Sequence, residues 1–385
     1  MNPHQLSSGD LIADRRAEYA HMLAETGEHA AAADLMIQAL ELVPDWAAGW
    51  FRLADYQEKS GAMEAAVLAL RKVLALQPDD IFGANLKLAL FGDTATPDQP
   101  PSLYVERLFD DYADRFDKAL VERLDYTVPQ KLAALVLEYC GTDHFSRVVD
   151  LGCGTGLFGV QIRDRTDVLE GFDLSANMLA KAEEKAIYDH LAQADLSLGP
   201  EASGVFGDAE QEYPPLSLRD LSPVDGTGAS EFQRAAASPQ RGEGARRADE
   251  GGRRLPLLAP VSPKPPLIAS HPLGTSPRRG EEGKHRADLV SAADVLMYLG
   301  ALDSVFVIAQ QLLSPAGIFA FSVEDAGADG DIVLRPSLRY AHSQAYVTGL
   351  CSTYGLDILA ISHTTIRKDG GKPVFGILFV TRKSP

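Results

Sequence analysis

The ten residues Asp150 to Gly159, DLGCGTGLFG, carry the densest concentration of ligand-binding features in the chain. They follow Arg147-Val148-Val149, whose apolar character predicts a buried parallel strand. A strand that runs through glycines into a helix makes a corner where backbone can approach a ligand and the helix start offers free N–H groups. Two registers fit. Gly154, Gly156 and Gly159 give G-x-G-x-x-G, which turns against a pyrophosphate, and Asp173 lies about where that motif places its ribose-binding acid, ~20 residues on. Gly152, Gly154 and Gly156 give G-x-G-x-G, preceded by the acid Asp150.

Asp150 separates the two. A carboxylate at the end of a buried strand is costly to desolvate unless paired, and beside a pyrophosphate it adds repulsion. S-adenosylmethionine carries a sulfonium, an ammonium, a carboxylate and a ribose but no phosphate. Asp150 can then hold the ammonium directly or through water, while the glycines let the backbone pass close to the methionine portion. Asp173 can take both ribose hydroxyls bidentately, and Asp195, at the end of the third strand, can accept from the adenine amino group. Three acids ending three consecutive strands in one cleft suit that cofactor better than a dinucleotide. A nicotinamide-dependent oxidoreductase remains the reading of the other register, and Asp173 with Ser175 could simply cap a helix.

The elements that must position these residues alternate. Strands are expected at 146–151, 168–173, 191–195, 288–294, 316–323, 356–363 and 374–381, with helices near 157–165, 175–187, 300–313 and 342–354. The fold class is therefore α/β, a doubly wound seven-stranded sheet. The last connection, TTIRKDGGKPV, is too short for a crossover, so the final strand is antiparallel. Between about 197 and 286 the chain is rich in proline, glycine, serine and arginine and lacks any period, which predicts a low-complexity, disordered insertion. Its arginines could form an interaction tail, but equal numbers of acids accompany its basic residues and the charges nearly cancel.

Upstream, the first eighty or so residues repeat at a period of 34: Gly27 matches Gly61, Ala32 matches Ala66, Leu40 matches Leu74 and Pro44 matches Pro78. This resembles the tetratricopeptide repeat, with Trp50, Leu53 and Ala54 at its bulky, leucine and small positions, and Gln57 departing from its usual aromatic. An ordinary helical bundle with a chance repeat is the alternative. The organisation expected is repeats over 1–92, a proline-rich linker over 93–102 (TATPDQPP at its centre) and an α/β domain over 103–385. Leu108, Phe109, Tyr112 and Phe116 give an amphipathic helix at the start of that domain. Tyr112 and Phe116 form either a lid over the cofactor or ordinary packing.

The motifs VVDLGCGTGLFG, GFDLSANMLAKA, QADL and DLVSAADVLMYLG together resemble class I S-adenosylmethionine-dependent methyltransferases, from about Tyr104 onward apart from the insertion. The repeats before LFDDYADRFD make the whole similar to a bacterial group of repeat-bearing methyltransferases, most with unassigned substrates. The resemblance implies the sheet order 3-2-1-4-5-7-6. It carries the cofactor site onto Asp150, Gly152, Gly154, Gly156, Asp173, Met178, Asp195 and Leu196, with Met178 and Leu196 packing on the adenine. The insertion directly after Asp195 departs from the family pattern.

Methyl transfer is an in-line displacement that needs an aligned nucleophile and, for a protonated acceptor, a base. Candidates are Asp294 at the end of the fourth strand, Tyr298 after it, Glu324 after the fifth, and His342, which could equally start a helix. After strand 4 the chain reads Asp294-Val295-Leu296-Met297-Tyr298, without the D/N-P-P-aromatic motif of amino-methylating DNA enzymes. With a net charge of −18, a nucleic-acid acceptor is disfavoured. A small molecule or a protein side chain is the expected acceptor, with the repeat arm offering a protein-docking surface. A non-enzymatic interaction protein with a vestigial site is the competing reading. Cys140, Cys153 and Cys351 have neither disulfide nor zinc spacing, no metal site is expected, and no segment has the ~20 apolar residues of a membrane span. The opening residues lack a secretory signal, so a cytoplasmic location is expected.

Overall fold

In the computed structural model, residues 7–113, 126–206, 286–369 and 371–384 are described. The chain opens with two helical hairpins, α1 (Leu11–Glu25) with α2 (His29–Leu42) and α3 (Ala47–Lys59) with α4 (Met63–Leu76), followed by the short α5 (Ala84–Leu90). Asp10 starts α1 by accepting the Ile12 and Ala13 N–H groups at 2.8 and 2.9 Å. Each hairpin turns on a glycine in left-handed backbone, Gly27 at φ 88° and Gly61 at φ 83°, which explains the spacing of those two residues. Alanines 13, 17, 20, 32 and 39 are buried where the helices meet, so the apolar faces close on small side chains around Met36, Leu53, Tyr56 and Leu70.

Among the described residues, helices α6 (Ser102–Tyr112) and α7 (Val128–Tyr139) precede a nine-stranded sheet. Its strands are β1 (Phe145–Leu151), β2 (Thr166–Asp173), β3 (His190–Gln193), β4 (Ala287–Ala292), β5 (Leu313–Asp325), β6 (Ile332–Leu334), β7 (Tyr340–His342), β8 (Leu356–Asp369) and β9 (Lys372–Lys383). Parallel pairing runs β3-β2-β1-β4-β5, and β9 then lies antiparallel between β5 and β8. The short β7 pairs with the last residues of β5, past Phe321 where the pairing with β4 ends, and β6 pairs with β7. These two strands correct the seven-strand expectation. At three residues each, they are too short to show an alternating pattern in sequence.

Alternation along the strands sorts the core onto two faces. Val149, Leu151, Val290, Phe319 and Phe321 face one way, against α10 (Asp303–Leu312) and α11 (Gln344–Thr353). Val148, Leu289, Ile318 and Ala320 face the other, against α7 and α8 (Leu157–Ile162). Helix α9 (Ala176–Glu184) follows β2 and is capped by Ser175 Oγ, which accepts the Met178 N–H at 3.1 Å.

Residues 197–206, placed in the insertion by composition, run as turns against the sheet, with Val205 buried in its core. The rest of the expected insertion, 207–285, lies outside the described residues, as does Phe116. Among the described residues no helix is long and apolar enough to cross a membrane.

The segment expected as a linker is fixed onto the sheet. The Ala301 N–H donates to Asp98 O at 2.7 Å, and the Tyr340 hydroxyl donates to Pro97 O at 2.9 Å. A Cβ at Gly300 would sit 2.1 Å from Asp98 O, so only glycine allows this approach. Gly300→Ala is expected to lower stability by about 1–3 kcal/mol through this backbone clash. Urea unfolding measures it; a variant as stable as wild type would mean that the contact is not made.

Candidate functional site

The carboxyl ends of β1, β2 and β4, the segment after β3 and one face of α6 enclose a single cavity. Of the residues singled out in the sequence, Asp150, Gly152, Gly154, Asp173, Asp195, Leu196, Asp294 and Tyr298 line it. Gly156, Met178 and His342 do not.

Asp150 is 1% exposed, and hydroxyls hold both its carboxylate oxygens: Tyr188 donates to one and Ser291 to the other, each at 2.7 Å. Burial pushes the carboxyl up to about 6 against these two hydrogen bonds, and the nearby Asp173 charge adds to the rise. The Tyr188 ring then dictates the glycines. A Cβ at Gly156 would approach it to 2.9 Å, and one at Gly159 would stand 2.4 Å from its hydroxyl oxygen. Gly156, expected to face the cofactor, is thus a packing residue in left-handed backbone (φ 89°). Gly152 is likewise held close, since its Cβ would meet Val295 at 2.4 Å.

Asp173 accepts the Gly154 N–H at 2.8 Å on one oxygen and the Ser175 N–H at 2.9 Å on the other. It joins the glycine loop to the start of α9, and burial pushes it up to about 6 as well. Asp195 lies two residues beyond the end of β3, and its Oδ1 accepts the Ser197 N–H and hydroxyl at 2.9 and 2.6 Å. Met178 is fully buried beneath its own helix, and the apolar wall falls instead to Leu174 and Leu196. The sequence carried a signal for Leu174, since it directly follows the strand-ending acid.

The other end of the cavity is built by Asp294, Tyr298, Tyr126, Arg339 and Arg367. Asp294 takes left-handed backbone (φ 62°), and its N–H donates to Ser322 Oγ at 2.8 Å. Arg367, 4% exposed, lies 3.4 Å from Asp294 and hydrogen-bonds Glu324. Burial raises Asp294, while the Arg367 charge opposes the rise. The Arg339 Nε–H donates to the Tyr298 hydroxyl at 3.0 Å, and its guanidinium carbon stands 5.6 Å from the Tyr298 ring centre.

Neither arginine was foreseen. Arg367 belongs to a stretch assigned to a hairpin connection, but β8 runs on to Asp369 and keeps it in the sheet. His342, expected as a catalytic candidate, is fully buried in β7 with Nε2 2.8 Å from Gly300 O, and desolvation pushes it down to about 4. It is a neutral structural histidine.

Helix α6 covers the cavity with Val105, Leu108, Phe109 and Tyr112. Phe109 meets the Tyr298 ring edge-on at 4.7 Å, and Asp110 accepts the Ser175 hydroxyl at 2.6 Å. The lid is thereby tied to the same turn that Asp173 organises.

A mostly parallel sheet with helices on both faces, and a glycine-looped cleft at the ends of its central strands, defines a cofactor-binding α/β protein. A family model described as "Methyltransferase domain" matches residues 120–360, more than half of the chain, and the chain belongs to that family. Among curated proteins it is 44% identical over 62 residues to a malonyl-[acyl-carrier protein] O-methyltransferase of Enterobacter lignolyticus, covering 16% of this chain and 25% of that one. It is 30% identical over 95 residues to the protein of that name from Buchnera aphidicola, covering 24% and 38%. The chain thus spans well under half the length of these relatives. Among solved structures it is similar to magnesium protoporphyrin IX methyltransferase from Synechocystis with bound SAH, at 14% identity, TM-score 0.41, and 73% and 99% coverage.

Because Asp150 binds its proton more tightly folded (about 6) than its ordinary 3.8, its protonation favours folding as pH falls, and that contribution is lost as pH rises through about 6. Asp150→Asn removes the titration. The melting temperature of the variant relative to wild type is therefore expected to be higher at about pH 7.5 than at about pH 5. Thermal melts at both pH values measure this, and a pH-independent difference would contradict it.

Proposed function

We propose that this protein transfers a methyl group from S-adenosylmethionine to a small-molecule or protein acceptor, and that the helical hairpins of residues 1–92 are a tetratricopeptide-like arm that docks a partner. The remaining parts of this reading are a connecting segment over 93–102, held against the sheet by its Pro97 and Asp98 carbonyls, and a catalytic domain over 103–385, interrupted by an insertion.

One observation carries the cofactor assignment. The glycine-loop end of the cavity is lined by Asp150, Asp173 and Asp195, and among the described residues lining the cavity the only cations, Arg339 and Arg367, belong to the other end. Three carboxylates around a glycine loop suit a cationic ligand with a ribose and disfavour a pyrophosphate.

S-adenosylmethionine supplies an electrophilic methyl on a sulfonium. Asp173 accepts from the ribose hydroxyls while its other lone pairs keep the Gly154 and Ser175 N–H groups. Asp195 accepts from the adenine amino group with the oxygen that Ser197 leaves free, and Leu174 and Leu196 provide apolar surface for the ring. Asp150 attracts the ammonium, directly or through water, and its bonds to Tyr188 and Ser291 keep it fixed. Phe109 and Tyr112 exclude water from above.

Calorimetry with S-adenosylhomocysteine tests this reading. Wild type is expected to bind it, Asp173→Ala to weaken binding about 100-fold through loss of two charge-assisted hydrogen bonds, and wild-type affinity to fall as acidification protonates Asp173 below about 6. Binding of NADH in place of S-adenosylhomocysteine would overturn the reading.

A further inference from the structure

We infer that the methyl acceptor is a carboxylate, that Arg339 holds it, and that the product is a methyl ester. The inference rests on the methyltransferase reading above and names the substrate class of that same site.

The acceptor has to enter the end of the cavity away from the glycine loop. That wall carries two arginines, and they are in different situations. Arg367 is 4% exposed and already faces two carboxylates, Glu324 and Asp294. Arg339 faces a phenol: its Nε–H donates to the Tyr298 hydroxyl, and its guanidinium lies over the Tyr298 ring. Its nearest carboxylate, Asp369, is 3.6 Å from Nη1 and 60% exposed, a weak and solvent-screened partner. Among the described residues, Arg339 Nη2 makes no hydrogen bond. A planar guanidinium fixed through Nε and by its cation–π contact with Tyr298, with Nη2 uncommitted at a cavity wall, is preorganised for a carboxylate.

The local charge balance agrees. Among the described residues, Asp294 and Glu324 oppose Arg339 and Arg367, so their charges cancel at this end of the cavity and an entering carboxylate meets no net repulsion from them. The sulfonium of the bound cofactor adds one positive charge.

Among the described residues, none is placed as a base at this end, which points the same way. An alcohol or ammonium acceptor carries a proton that must leave, which calls for a base within hydrogen-bond reach. Asp294 is held by Arg367, and the Tyr298 hydroxyl already accepts from Arg339. His342 is buried in β7 outside the cavity. A carboxylate needs no base. One of its oxygens gives an electron pair to the methyl carbon as the carbon–sulfur bond breaks onto sulfur. The sulfonium becomes a neutral thioether, the carboxylate becomes a neutral methyl ester, and no proton moves. Phe109, Tyr112 and Leu108 on α6 make the rest of this wall apolar, which suits an acid with an apolar or aromatic body.

The test uses the full-length protein saturated with S-adenosylhomocysteine and titrated with phenylbutyrate and decanoate, each against its primary amide. Each acid is expected to bind about tenfold or more tightly than its amide, the advantage of a charge-assisted pair over a neutral one. Arg339→Gln should erase that preference while retaining affinity for S-adenosylhomocysteine, which also reports that the variant is folded. Arg339→Lys should keep part of it. Acid and amide behaving alike, whether both bind or neither does, overturns the inference, as does a preference unchanged in Arg339→Gln. In a second arm, label transferred from methyl-labelled S-adenosylmethionine into cell extract should be released as methanol by alkali, whereas base-stable label overturns the ester assignment. Failure of wild type to bind S-adenosylhomocysteine would instead remove the methyltransferase reading itself.

Discussion

The site depends first on one buried carboxylate. Asp150, at the end of the central strand, would cost several kcal/mol to bury unpaired, and the hydroxyls of Tyr188 and Ser291 offset that cost. Ser291 belongs to β4 and Tyr188 to the segment entering β3, so one side chain ties together three parts of the sheet. The consequence reaches the glycine loop, because the Tyr188 ring occupies the space where Cβ atoms at Gly156 and Gly159 would lie. Asp173 completes the arrangement by holding the Gly154 N–H. The loop is shaped by these two acids before any ligand enters, which spares a ligand the cost of ordering it.

The far end is organised by a different device, the buried group of Asp294, Arg367 and Glu324. It draws on the end of β8, the end of β5 and the turn after β4. Such a cluster contributes little net stability, but removing one member leaves an uncompensated charge, so it fixes geometry. Helix α6 spans both ends, joined to the acidic end through Asp110 and Ser175 and to the arginine end through Phe109 and Tyr298. A ligand at either end therefore meets the same lid.

What could be read in the sequence was what repeats or alternates. Buried strands such as Val148-Val149, the hairpin glycines Gly27 and Gly61, and the acids at or just past strand ends, Asp150, Asp173 and Asp195, each belong to a local pattern. What could not be read depends on distant contacts. Tyr188 reaches Asp150 across 38 positions, and Arg367 reaches Asp294 across 73. Met178 and His342 show the converse error. Each occurs in a suggestive local context, yet burial takes both away from the cavity. Gly159, which completes the dinucleotide spacing, is explained by the tyrosine it packs against, so the motif alone was ambiguous for a physical reason.

The most direct measurement is a crystal structure of the full chain grown with S-adenosylhomocysteine. The account predicts the ligand in the cavity beneath α6, with its ribose hydroxyls within hydrogen-bond distance of Asp173, its adenine beside Leu174 and Leu196, and its sulfur facing the end that holds Arg339. A ligand bound elsewhere, or a ribose that makes no contact with Asp173, would contradict it.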